Sequence, residues 1–103
     1  MADNLPELSH LQFAVLSELG SSDMSGRQLR EQLAKSGIRK SGPNFYQMMA
    51  RLEEARFVKG WYDQKIVEGQ IIKERKYRIL GDGISAMRRT EKFYAGRLRP
   101  AFL

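Results

Sequence analysis

Apolar residues recur at helical spacing in three stretches of the first sixty positions. Each stretch is introduced by a residue that caps helices. In the first, Leu11, Val15 and Leu19 recur with Phe13 and Leu16 alongside. Ser9 precedes them and Gln12 follows three residues later, a capping-box pattern in which each side chain meets the other's backbone N–H. So broad an apolar surface predicts a largely buried helix. Gly20-Ser21-Ser22-Asp23 ends it in a turn. In the second stretch Ser25 and Gln28 repeat the capping box, Leu29 and Leu33 form the inward pair, and Arg27, Arg30 and Lys35 take the wet side. Gly37 is the expected left-handed residue after the last turn. Ile38 then returns to the core. In the third, Ser41 is the expected cap, and Pro43 fits a first turn whose N–H has no partner. Phe45, Met49, Leu52 and Ala55 share one face and predict a helix from about Pro43 to Ala55.

Beyond this helix the pattern changes. Residues 57–67 and 70–79 are rich in aromatic and β-branched side chains and are separated by Glu68-Gly69, which predicts a β-hairpin. In its second strand Ile71, Lys73, Arg75, Tyr77 and Ile79 share a face. Tyr77 and Ile79 are expected on the core, with Lys73 and Arg75 extending outward towards the tip. Gly81-Asp82-Gly83 breaks the chain, and Asp82 is the expected cap of a fourth helix. Ile84, Met87, Glu91, Tyr94 and Leu98 form its stripe, with Ala86 and Phe93 beside it, and Pro100 ends it. Residues 1–8 read as an arm broken by Pro6. The order is helix, helix, helix, strand, strand, helix: an α+β fold, mostly α, of the winged helix-turn-helix type with an added C-terminal dimerisation helix. Residues 1–80 would form the winged helix with its arm and 81–103 the added helix, in one compact domain.

Charge gives this architecture a direction. The 103-residue chain carries a formal +6, with 18 Lys and Arg against 12 Asp and Glu. Residues 1–23 hold four of the acids and no cation, so the remainder stands at +10. A basic face on a small domain is the footprint of a polyanion. The short link between the second and third helices contributes Arg39 and Lys40. On the third helix Asn44, Gln47 and Arg51 recur at i, i+3 and i+7, with the flat hydrogen-bonding and cationic chemistry that reads base edges and phosphates in a major groove. Tyr46 flanks them and can offer its hydroxyl to phosphate or its ring to the second helix, and the Ser41 hydroxyl can meet phosphate or cap the helix, capping being its expected main role. Lys65, Lys73 and Arg75 flank the hairpin tip, where cations meet phosphate or protect strand edges. The expected DNA-contacting set is therefore Arg39, Lys40, Ser41, Asn44, Tyr46, Gln47, Arg51, Lys65, Lys73 and Arg75. Ile84, Met87, Glu91, Phe93, Tyr94 and Leu98 are the expected dimer seam, because three helices and a hairpin close a core without them.

Other classes recede. The chain has no cysteine, which removes disulfides, thiol nucleophiles and Cys-ligated metals and points towards the cytoplasm. His10 stands alone and makes no metal site. No phosphate-binding Gly-rich loop is present, because Gly81-Asp82-Gly83 has neither the length nor the Lys-Ser/Thr. No apolar run approaches the ~20 residues that span a bilayer, and no signal peptide is visible. An enzyme is not expected, nor a cofactor. Trp61 reads as a structural residue covering the sheet.

From Leu11 to Gly83 the sequence resembles the PadR-like family of transcriptional regulators. That family's third-helix pattern is roughly Ser-x-x-(Thr/Ser)-(Leu/Val)-Tyr-x-x-Leu-x-Arg-Leu-Glu-x-x-Gly-(Leu/Phe). Here Ser41, Asn44, Phe45, Tyr46, Met49, Arg51, Leu52, Glu53, Arg56 and Phe57 stand at those positions. The family closes its wing with Tyr-x-(Leu/Ile)-Thr-x-x-Gly, met here by Tyr77, Ile79, Leu80 and Gly83. Ser25-Gly26 followed by Leu29 looks like its entry to the second helix, without the Tyr. Three departures are evident: Asn44 for a small hydroxyl residue, Arg56 for Gly, and Leu80 for Thr. The resemblance implies a homodimeric repressor of double-stranded DNA with an inverted-repeat operator. Its third helix would lie in the major groove, its wing on the backbone or minor groove, and its fourth helix in the dimer. It also implies, for some members, a small aromatic effector at the dimer interface, for which Phe93, Tyr94 and Trp61 are the candidates here. The competing expectation is a winged-helix protein-interaction module without specific DNA binding. At Arg56 the expectation is a strained turn or a turn shifted by one residue.

Overall fold

The computed structural model describes residues 8–98. Its elements are α1 (His10–Leu19), β1 (Met24–Ser25), α2 (Gly26–Lys35), α3 (Gly42–Glu54), β2 (Val58–Val67), β3 (Gln70–Ile79) and α4 (Gly81–Leu98). Both capping boxes form: the Ser9 hydroxyl accepts from the Gln12 N–H while the Gln12 carboxamide accepts from the Ser9 N–H, and Ser25 and Gln28 do the same. Ser41 caps α3 by accepting from the Asn44 N–H, with Pro43 in the first turn. The expected winged helix with an added helix is the observed architecture.

Two helix exits use the same device. After α2, Gly37 N–H donates to Ala34 O at 3.0 Å and Ile38 N–H to Leu33 O at 2.9 Å, with Gly37 at φ +82°. After α3, Arg56 N–H donates to Glu53 O and Phe57 N–H to Leu52 O, each at 3.0 Å, with Arg56 at φ +61°. Both are Schellman exits, in which two bonds running back along the last turn require a left-handed residue just past the helix. Glycine adopts that conformation freely and arginine does so under strain. The departure at Arg56 is thus accommodated by a strained turn rather than by a shift of register.

The hairpin pairs Val58↔Ile79 through Val67↔Gln70 in antiparallel register, and Glu68 (φ +52°) and Gly69 (φ +80°) turn it. Two positive φ values in a two-residue loop give the twist that adjoining strands need. β1 adds a third strand, with Met24 opposite Tyr77 and Ser25 opposite Lys76, in the order β1-β3-β2. Two residues carry no readable strand pattern, so the sequence reading has only the hairpin. Asp23, just before β1, is tied to Arg78 at 2.7 Å, and that guanidinium lies 5.5 Å from the Trp61 ring centroid. The Arg78 bond holds the Asp23 carboxyl below the usual carboxylate range. Trp61 is half-buried on this outer face of the sheet, as the structural reading expects.

The core joins Val15, Leu16 and Leu19 of α1, Leu29 and Leu33 of α2, Phe45, Met48, Met49 and Leu52 of α3, Val58, Tyr77 and Ala86. Leu8 is buried in it too, which shortens the expected arm by one residue, and residues 1–7 lie outside the described residues. Ala55, expected on the inner face of α3, is exposed at its C-cap, and Met48 takes the inner place. Asp82 does not cap α4. The helix starts one residue earlier, Ile84 N–H donates to Leu80 O at 3.0 Å, and Asp82 lies in the first turn, where its charge suits the helix dipole. The buried line along α4 is Gly83, Ala86 and Thr90, and the Thr90 hydroxyl donates to Ala86 O at 2.9 Å. Of the expected seam, Ile84, Met87 and Phe93 are half-buried, with Met87 on the core, while Glu91 and Tyr94 are exposed. The side chain of Leu98 and the stop at Pro100 lie outside what is described. An added Cβ at Gly83 would overlap the Phe57 carbonyl oxygen, so α4 begins in direct contact with the backbone between α3 and β2.

Candidate nucleic-acid interface

Each residue of an α-helix turns about 100° from the last. With Phe45, Met49 and Leu52 held in the core, Gln47 and Glu54 point directly away from it. Asn44 and Arg51 flank them on one side; Tyr46 and Glu53 flank them on the other. The two flanks meet different neighbours. Asn44, Gln47 and Arg51 line an open recess of about 530 Å³ with Ser9, His10, Leu11, Gln12, Lys40 and Met48. The start of α1 therefore borders the expected reading face, a juxtaposition that residues forty apart do not announce. Asn44, Gln47 and Arg51 are all exposed.

Tyr46 turns towards the wing. Its ring meets that of Phe45 edge-on at 5.1 Å, and an added Cβ at Gly26 would lie 2.5 Å from its hydroxyl oxygen. The ring thus lies on the first residue of α2, and 39% of the residue stays exposed, enough to present the hydroxyl. Tyr46 shares a second recess of about 260 Å³ with Ser25 and Arg27 on one side and Ile72, Lys73, Glu74 and Arg75 on the other. This groove runs between the recognition-type helix and the hairpin.

The link before α3 belongs to a third recess. Arg39 and Lys40 border about 270 Å³ with Arg27, Arg30 and Glu31 over a floor of Leu33, Ala34, Ile38 and Phe45. Arg30 donates to the Lys40 carbonyl at 3.3 Å, which holds the link against α2. Arg27 and Arg30 therefore extend the basic surface of Arg39 and Lys40. Their i, i+3 spacing on the wet side of the second helix was the signal for it.

The wing cations do not all behave as expected. Lys73 is exposed. Lys65 pairs with Glu74 at 2.8 Å and remains half-exposed. Arg75 does not extend outward. Its guanidinium bonds Glu53 of α3 at 2.6 Å and lies 4.8 Å from the Tyr62 ring centroid and 5.8 Å from that of Tyr77. The reason is positional: Arg75, opposite Tyr62, sits two rungs from Gly60↔Tyr77 and so on the same face of the sheet, close enough to reach the last turn of α3. Beyond it the tip exposes Ile66 and Ile71, opposite each other at 76% and 69% exposure, and Tyr62, opposite Arg75 itself, is 68% exposed. Among the described residues, no cluster of His, Cys, Asp and Glu could hold a metal and no helix is long and apolar enough to cross a membrane.

Comparison with family models and with curated proteins returns no match. Solved structures do match. A PadR family transcription regulator from Clostridium difficile superposes with a TM-score of 0.74 at 14% identity, covering 92% of this chain and 100% of that one. One from Eggerthella lenta gives 0.72 at 24% identity, covering 88% and 77%. PadR from Bacillus subtilis, solved in complex with operator DNA, gives 0.65 at 14% identity, covering 78% of this chain and 45% of that one. The three helices, the wing and the added helix are thus one shared arrangement, and this chain has the winged-helix fold of the PadR-family transcriptional regulators.

Proposed function

We propose that this chain is a sequence-specific, double-stranded-DNA-binding transcriptional regulator, a repressor that acts as a homodimer on an inverted repeat. The observation that carries the reading is the setting of α3. Its outward face presents Gln47 with Asn44 and Arg51 beside it, the basic surface of Arg39 and Lys40 adjoins its start, and the wing stands along its other flank. Asn44 and Gln47 read base edges. Arg39, Lys40, Arg51, Lys65 and Lys73 meet phosphates, and Ser41 and Tyr46 add hydroxyl contacts. Arg75, committed to Glu53, leaves this contact set. The exposed face of α4 around Glu91 and Tyr94 pairs with a second copy. Phe93 and Tyr94 meet edge-on at 5.2 Å and the Arg97 guanidinium lies 3.5 Å from the Phe93 centroid, so an aromatic effector there would displace Arg97.

In vitro selection from random duplex DNA tests the reading and is expected to enrich an inverted repeat with half-sites about one helical turn apart. Gln47→Ala or Asn44→Ala should then weaken binding to the selected duplex by roughly 1–3 kcal/mol while leaving scrambled duplex nearly unaffected. Equal losses on both would remove the base-reading role. Enrichment of no motif would favour a protein-interaction module, the reading to which the exposed Ile66, Ile71 and Tyr62 lend support.

A further inference from the structure

A half-buried ion pair lies where α3 meets the wing. Glu53 is in the last turn of α3, at the negative end of the helix dipole, where a carboxylate is unfavourable without a counter-charge. Arg75 supplies that charge at 2.6 Å, and both side chains are only about a quarter exposed. Three further residues shape the site. Tyr62 and Tyr77 flank the guanidinium. Gly60, on the same face of the sheet, leaves open the volume the pair occupies: an added Cβ there would overlap Glu53 Oε1 and lie 2.8 Å from Arg75 Nη2. The only covalent path from α3 to the wing is the left-handed turn at Arg56.

We infer that Glu53 and Arg75 are positioning residues that lock the wing to the recognition-type helix and so set where the wing meets DNA without touching it. The inference rests on the DNA-binding reading above. Five ladder rungs separate the Tyr62↔Arg75 pair from the Val67↔Gln70 pair at the tip. At ~3.3 Å per residue the wing is a lever of roughly 17 Å, so a swing of about 10° at the brace moves the tip by about 3 Å. That displacement separates a hydrogen-bonded phosphate from a solvated one, and it acts on Lys65 and Lys73 together.

The test compares the wild-type chain with Glu53→Gln, Arg75→Gln and the charge-exchanged pair Glu53→Arg/Arg75→Glu, on a duplex selected by the wild-type chain. Hydroxyl-radical footprints report the wing's backbone contacts, and guanine methylation protection reports the major groove. The single variants should lose the wing footprint, keep the major-groove protection, and give a log K against log salt slope shallower by about 1 to 2 per protomer. The exchanged pair should restore the footprint. Amide hydrogen exchange of the free chain is read alongside: exchange should rise across residues 62–73 in the single variants and stay unchanged in α1. Wild-type protection by neither probe overturns the DNA reading itself. Wild-type protection whose wing part survives in both single variants overturns the brace, as does exchange that rises equally in α1 and the wing.

Discussion

Arg56→Gly is expected to stabilise this protein, although it deletes a large side chain. The two Schellman exits provide the comparison. Their hydrogen bonds match within 0.1 Å, and the left-handed residue is glycine in one and arginine in the other. A non-glycine residue in this conformation carries about 1–1.5 kcal/mol of steric cost, from which ~0.4–1 kcal/mol must be subtracted for the extra freedom glycine has when unfolded. Arg56 is exposed and forms no ion pair among the described residues, so little contact energy is lost with it. The net gain is about 0.5 kcal/mol, a rise in Tm of roughly 2–4 °C for a chain of this size. Gly37→Ala should move the other way by a similar amount, since it places a Cβ at φ +82° in the matching exit. Urea unfolding at constant m-value measures both. A loss of stability in Arg56→Gly, or no change in Gly37→Ala, would refute the account of the two turns as one motif differing only in strain.

Gly83→Ala should destabilise by about 1–2 kcal/mol, because the overlap with the Phe57 carbonyl outweighs the ~1 kcal/mol gained in helix propensity. Gly96→Ala, whose Cβ would meet nothing within 4 Å, should gain up to ~1 kcal/mol in the same urea unfolding measurement. Burial pushes the Tyr77 hydroxyl up to about 12, with the Arg75 hydrogen bond opposing. The unfolded phenol ionises near pH 10 and the folded one later, so the unfolded chain holds fewer protons in between. Stability should therefore be undiminished below pH 10 and fall from there towards pH 12, a slope that Tyr77→Phe should flatten in denaturant titrations. Tyr94→Glu should halve the sedimenting mass if the exposed face of α4 is the dimer seam; an unchanged mass would place the seam elsewhere.

What the sequence made legible is what depends on neighbours along the chain. Ser9 with Gln12, and Ser25 with Gln28, announced two helix starts because capping is settled within four residues. The hairpin was readable because Glu68-Gly69 separates two strands whose alternation is local. The start of α4 was misread for the opposite reason. Asp82 is a good cap in isolation, but the Leu80 N–H donates to the Phe57 carbonyl at 2.9 Å, and that bond from a residue 23 positions back sets where the helix begins. The inner face of α4 was misjudged likewise: Gly83 and Thr90 are not hydrophobic, and only the approach to α1 and the Phe57 carbonyl makes them buried.

The candidate site divides along the same line, and the division has a mechanistic consequence. Gln47, Asn44 and Arg51 were legible because one helix face is a local pattern, and they are the groups proposed to read DNA. What fixes the wing beside them was not legible. The bond between Arg75 and Glu53 spans 22 residues, and the space left at Gly60 has meaning only once both partners are placed. As a cation near a hairpin tip, Arg75 reads in sequence as one more phosphate contact; in the fold its charge is already spent on α3. A wing that carried Arg75 free would gain one phosphate contact and lose its fixed angle to the helix. Val58 and Tyr77 hold the wing's base in the core with α3, and the ion pair is the contact that ties the wing to α3 further along, beyond the strained turn at Arg56. Under the DNA-binding reading, the wing's backbone contacts are therefore expected to respond to residues that touch no DNA. A substitution at Gly60, which carries neither charge nor side chain, should alter wing placement as much as one at Glu53.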